Sequence, residues 1–85
     1  MKTWNDIKKD YLKDHHSRIL KQPQRRENAL KSIERLFKNN YPALPDSDKI
    51  KKLGREGLEQ EVLKLKGSNL SGAEKSVILG LVKYS

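Results

Sequence analysis

Apolar residues recur at three- and four-residue spacing in four separate stretches of this chain, and Pro or Gly stands near each boundary between them. That period lays apolar side chains along one face of an α-helix, and no stretch shows the two-residue alternation of a half-buried strand. The first stretch, Thr3–Lys21, carries Trp4, Ile7, Tyr11, Leu12, Ile19 and Leu20 on one stripe. Thr3 is placed to cap it, and Asp6 stands three residues on, where Glu or Gln is usual. Pro23 opens the second helix: Gln22 before it is biased out of the α region, while Pro itself suits a first helical turn. The second stripe is Ala29, Leu30, Ile33, Leu36 and Phe37, and Asn39-Asn40-Tyr41-Pro42 ends that helix.

A loop over Ala43–Asp48 follows, then Lys49–Leu53 as one helical turn, with Ile50 and Leu53 as anchors to the core. Gly54 and Gly57 would each weaken a continuous helix by about 1 kcal/mol relative to Ala. The spacing therefore predicts a break near Gly54 and a third helix from Arg55 to Lys66, burying Leu58, Val62, Leu63 and Leu65. Lys66-Gly67-Ser68-Asn69 reads as a hinge. Ser71, with Glu74 three residues later, forms the signature of a capping box for a last helix that buries Ala73, Val77, Ile78, Leu81 and Val82. The fold expected is all-α, one domain of four main helices.

Composition narrows what such a domain can do. There is no Cys, which removes disulfides, thiolate metal sites and Cys nucleophiles. The only imidazoles, His15 and His16, are consecutive and diverge by roughly 100° on a helix, a poor arrangement for chelating one metal. No motif joins the Ser residues to the His pair, and Gly54-Arg55-Glu56-Gly57 lacks both the ending and the preceding strand of a phosphate-binding loop. The chain therefore reads as non-catalytic, without cofactor or metal. Apolar runs are too short to span a bilayer and no signal-peptide core is present, so a cytoplasmic location is expected. The net charge of +8 points to a polyanionic partner, and the excess is uneven: +6 over residues 1–45 against +2 over residues 46–85.

The basic cluster Gln22-Pro23-Gln24-Arg25-Arg26-Glu27-Asn28 falls in the first turn of the second helix, where unpaired N–H groups favour phosphate. Arg25 and Arg26 supply forked donors for phosphate or guanine, and Gln24 and Asn28 supply amides for adenine edges. Lys8, Lys9, Lys13, Arg18 and Lys21 on the first helix, and Lys31 and Arg35 on the second, extend the candidate DNA-binding footprint. Each can equally be a solvated surface charge. A membrane surface fits less well, because the apolar stripes match one another and none is left over for lipid.

The order of these parts resembles the core-binding domain of tyrosine recombinases, the phage-integrase family, also called the SAM-like N-terminal domain. Thr3-Trp4-Asn5-Asp6-Ile7 through Tyr11-Leu12 resembles the opening helix of that family. Gln24 through Ile33 occupies the place of its second helix, Tyr41-Pro42-Ala43-Leu44 resembles the exit from that helix, Lys52 through Glu59 the start of the third, and Leu70-Ser71-Gly72-Ala73 the start of the last. Three positions depart from the pattern: Gly54 stands in place of a Thr cap, Glu74 where Thr is common, and Val77 where a basic residue is frequent.

The resemblance covers nearly the whole chain and implies a four-helix SAM-like orthogonal bundle that binds double-stranded DNA in support of integration or recombination. It further implies a piece of a longer integrase whose separate catalytic domain holds the nucleophilic Tyr and which oligomerises on DNA; Tyr11, Tyr41 and Tyr84 match no nucleophile motif. Two alternatives stay open on the residues alone, a free-standing small basic nucleic-acid-binding protein and a helical protein-interaction module.

Overall fold

Four helices account for nearly all of the described chain: α1 (Trp4–Ser17), α2 (Pro23–Asn40), α3 (Ser47–Lys66) and α4 (Gly72–Tyr84), with no strand among the described residues. The computed structural model describes residues 2–17 and 23–85. The part of the first stripe formed by Ile19 and Leu20 lies outside them, as do the side chains of His15 and His16.

Each helix start follows from a local hydrogen-bonding demand. The first N–H groups of a helix lack intrahelical acceptors. At α1 the Asp6 backbone N–H donates to Thr3 Oγ1 (3.3 Å) and the Thr3 N–H donates back to Asp6 Oδ2 (3.1 Å). Asp thus serves in the reciprocal role usually taken by Glu, and these bonds hold the Asp6 carboxyl below its ordinary pKa. At α4 the Glu74 N–H donates to Ser71 Oγ (3.1 Å) while the Ser71 N–H donates to Glu74 Oε1 (2.9 Å), a complete capping box. At α3 the cap is Asp46, whose Oδ1 accepts from the Lys49 N–H (3.0 Å). The helix therefore starts at Ser47, two residues earlier than the spacing of Ile50 and Leu53 suggests.

The break anticipated near Gly54 is present as a kink. Gly54 takes φ 68 and ψ −175, a conformation open in practice only to Gly, so Ser47–Leu53 and Arg55–Lys66 run as two differently directed segments of α3. Gly67 (φ 73) then closes α3 in the left-handed region and donates its N–H to Leu63 O (2.8 Å). In the second segment Leu58 and Val62 are fully buried and Leu65 packs beside them at i+7, while Leu63 stands outside the core. The expectation for Leu63 fails because it points about 100° away from Val62 and farther still from Leu58 and Leu65.

The α4 helix occupies the centre and packs against α1, α2 and α3. Its sequence explains this: Ala73, Val77, Ile78, Leu81 and Val82 spread an apolar face over much of its circumference, which needs neighbours on several sides, while Leu79 is left 48% exposed. Val77, Ile78 and Leu81 are fully buried. Around them close Ile7 and Tyr11 of α1, Leu30, Ile33 and Phe37 of α2, and Ile50, Leu58 and Val62 of α3. Phe37 bridges elements: Trp4 meets it edge-on at 5.7 Å and Tyr41 stacks on it at 5.6 Å. Gly80 lets α1 approach α4, and the Tyr11 ring lies against its backbone where any side chain would stand.

Candidate nucleic-acid interface

Charge is distributed by helix in a way that selects one surface. Three Lys and three Asp cancel along α1, whereas α2 carries five basic and two acidic side chains. Successive helical residues turn by about 100°, so Gln24, Asn28, Lys31 and Arg35, spaced by four, three and four, share a face. That face lies opposite the Ala29–Leu30–Ile33–Phe37 stripe, and all four side chains are exposed. From Gln24 to Arg35 it extends about 16 Å along the helix.

The two acids of α2 stand on a different flank. Glu27 and Glu34 line a small groove between α1 and α2 together with Lys8, Leu12, Leu30 and Lys31. Lys8 Nζ donates to both Glu34 oxygens (3.2 and 3.1 Å), and Lys38 Nζ reaches the same carboxylate at 4.0 Å. Turning the acids inward leaves the outer face of α2 with basic and amide groups only. Lys31 and Arg35 form no ion pair among the described residues.

The sequence-derived site residues separate accordingly. Gln24, Asn28, Lys31 and Arg35 are brought together. Gln24 Nε2 donates to Asn28 Oδ1 (3.1 Å), which fixes the two amides relative to one another. Lys8 is drawn into the pair with Glu34 and faces α1–α2 packing. Lys9 and Lys13 are exposed on the side of α1 away from Trp4, Ile7 and Tyr11. Arg25 is exposed beside the outer face of α2. Arg26 is half-buried on the core side of α2. Burial pushes the Tyr11 phenol above its ordinary pKa, and the Arg26 charge nearby opposes that shift. Adjacent in sequence, the two arginines point about 100° apart and cannot serve as one double fork. Arg18 and Lys21 lie outside the described residues.

Sequence reasoning missed a second group of cations beside the end of α2. Lys49 sits over the Tyr41 ring, 4.3 Å from its centroid, and the exposed Lys52 lines the same surface groove. Burial and the Glu61 carboxylate, to which its hydroxyl donates, push the Tyr41 phenol up to about 12. The available signal was the run of three lysines in four residues, which looks like ordinary solvated patterning until its location is known.

No group of His, Asp and Glu among the described residues could hold a metal, and no helix there is long and apolar enough to cross a membrane. No protein-family model, no curated protein and no solved structure matches the chain. What the α2 surface offers chemically is a rigid row of forked and point cations beside paired amides, a set suited to phosphate oxygens and base edges.

Proposed function

We propose that this domain binds double-stranded DNA through the outer face of α2, as the core-binding domain of a site-specific tyrosine recombinase of the phage-integrase type. The observation that carries the DNA reading is the sorting of α2: both acids turn toward α1, while Gln24, Asn28 and Arg35 face outward in one row with the exposed Lys31 at the rim of the groove that holds the acids. A solvated helix with no polyanionic partner has no need of such sorting, because interspersed charges of both signs keep it soluble equally well. The recombinase assignment rests on the order of helices and boundary motifs, and in that role the domain contributes binding while the bond-breaking chemistry belongs to a separate domain.

Binding of this kind depends on counterion release, so affinity falls steeply with salt. Electrophoretic mobility or fluorescence anisotropy with a labelled duplex at about 50 mM salt measures it directly. Charge reversal by Lys31→Glu with Arg35→Glu should abolish detectable binding without altering helical content. Undiminished binding by that variant would exclude the α2 face.

A further inference from the structure

We infer that the α2 row continues onto the first segment of α3, where Lys49 and Lys52 form a second phosphate-contacting pair. This rests on the DNA reading and specifies how the duplex backbone would run. Lys31, Arg35, Lys38 and Tyr41 follow one another at four-, three- and three-residue spacing, so each is a neighbour of the next along a line that winds from the outer face toward the flank where Lys38 meets Glu34. Tyr41 keeps this register because its N–H donates to Phe37 O (2.9 Å). Lys49 then lies over the Tyr41 ring, which places an α3 cation at the end of the α2 row, about 15 Å from Lys31 along the helix axis.

The platform is firmly held. The Tyr41 ring stacks on the buried Phe37 ring at 5.6 Å, and its hydroxyl donates to Glu61. Lys49 and Lys52, three residues apart, line one surface groove with Asp48 and Leu53. Lys49, Lys51 and Lys52 form no ion pair among the described residues, whereas Lys2, Lys8, Arg55 and Lys66 each have a carboxylate partner. Of the other acids nearby, Asp46 spends an oxygen on the Lys49 backbone N–H as the helix cap, and Glu61 accepts from the Tyr41 hydroxyl. Cations here also offset the partial negative charge at the C-terminal end of α2, which would otherwise repel phosphate.

The two ends of the row therefore do different work. Forked and amide side chains at the α2 end can address bases, while ammonium groups at the α3 end act as point charges on the phosphate backbone. The test is anisotropy of the whole 85-residue chain with two labelled duplexes of unrelated sequence, between 50 and 200 mM salt. Lys49→Gln with Lys52→Gln should weaken both duplexes alike and flatten the salt slope by about 1.8, making the affinity loss over that salt range about twelvefold smaller. Lys64→Gln with Lys75→Gln, exposed positions on α3 and α4, serves as the charge control and should leave the slope nearer that of the unaltered chain. If Lys49→Gln with Lys52→Gln keeps the full slope while Lys31→Gln with Arg35→Gln loses it, the α3 pair is excluded and DNA binding by α2 stands. Absence of duplex binding by the unaltered chain at 50 mM salt would overturn both.

Discussion

Substituting Ala for Gly80 tests the central packing of the bundle, because two effects of similar size act with opposite signs. In a helix interior Ala is favoured over Gly by about 1 kcal/mol. Against this, a Cβ at position 80 would stand 2.6 Å from Tyr11 Cδ2 and closer still to Cε2. Carbon atoms prefer roughly 3.5–4.0 Å, so the ring must withdraw by an ångström or more. It has little room to do so, being 6% exposed and set edge-on to the Tyr84 ring at 6.2 Å. Overpacking of this kind costs about 1–3 kcal/mol. The net expectation is a loss of about 1 kcal/mol, which lowers the melting temperature of a domain this size by roughly 4–8 °C. Thermal denaturation followed by circular dichroism measures it. In a Tyr11→Ala background, where the whole ring is absent, the same change should become stabilising by nearly the full propensity gain, and the cycle isolates the contact. A rise in melting temperature for Gly80→Ala in the unaltered chain would refute the α1–α4 contact.

Other consequences are equally direct. Gly54→Ala should cost about 1–3 kcal/mol in urea denaturation. Nothing lies within 4 Å of the Cβ position, so the cost is backbone strain and a D-Ala introduced by chemical synthesis should be tolerated. Phe37→Ala should cost about 3–5 kcal/mol by the same assay, removing the ring that Trp4 and Tyr41 both contact. Glu74 is buried, yet its bonds from Lys66 (2.5 Å) and Ser71 outweigh that burial and lower its pKa. A carboxyl lowered in the folded state stabilises above its unfolded pKa near 4.3, and the contribution disappears as pH falls through the lower folded value. Glu74→Gln should therefore flatten the acid limb of a stability–pH profile below about pH 4.5.

Periodicity made the helices legible because it is a local property. The α2 stripe, the Pro23 start, the Gly54 break and the Ser71–Glu74 box depend on residues within a turn or two of each other. What was not legible is how each face turns toward its neighbours. Lys8 pairs with Glu34 across 26 positions, and Tyr84 donates to Asp14 across 70, contacts that no local pattern encodes. Arg25 and Arg26 form a cluster on paper, but one faces outward and the other lies on the core side. The resemblance to recombinase core-binding domains drew attention to α2 as a whole. It took the burial of Glu27 and Glu34 toward α1 to show which side of α2 is the basic one.

The salt dependence of duplex binding tests the central claim most directly. For the unaltered chain, the logarithm of the association constant should fall linearly with the logarithm of salt concentration. Lys31→Gln with Arg35→Gln should reduce that slope by about 1.8, since each phosphate contact contributes about 0.9. An identical slope for the double variant, or no duplex binding at 50 mM salt, would contradict the account.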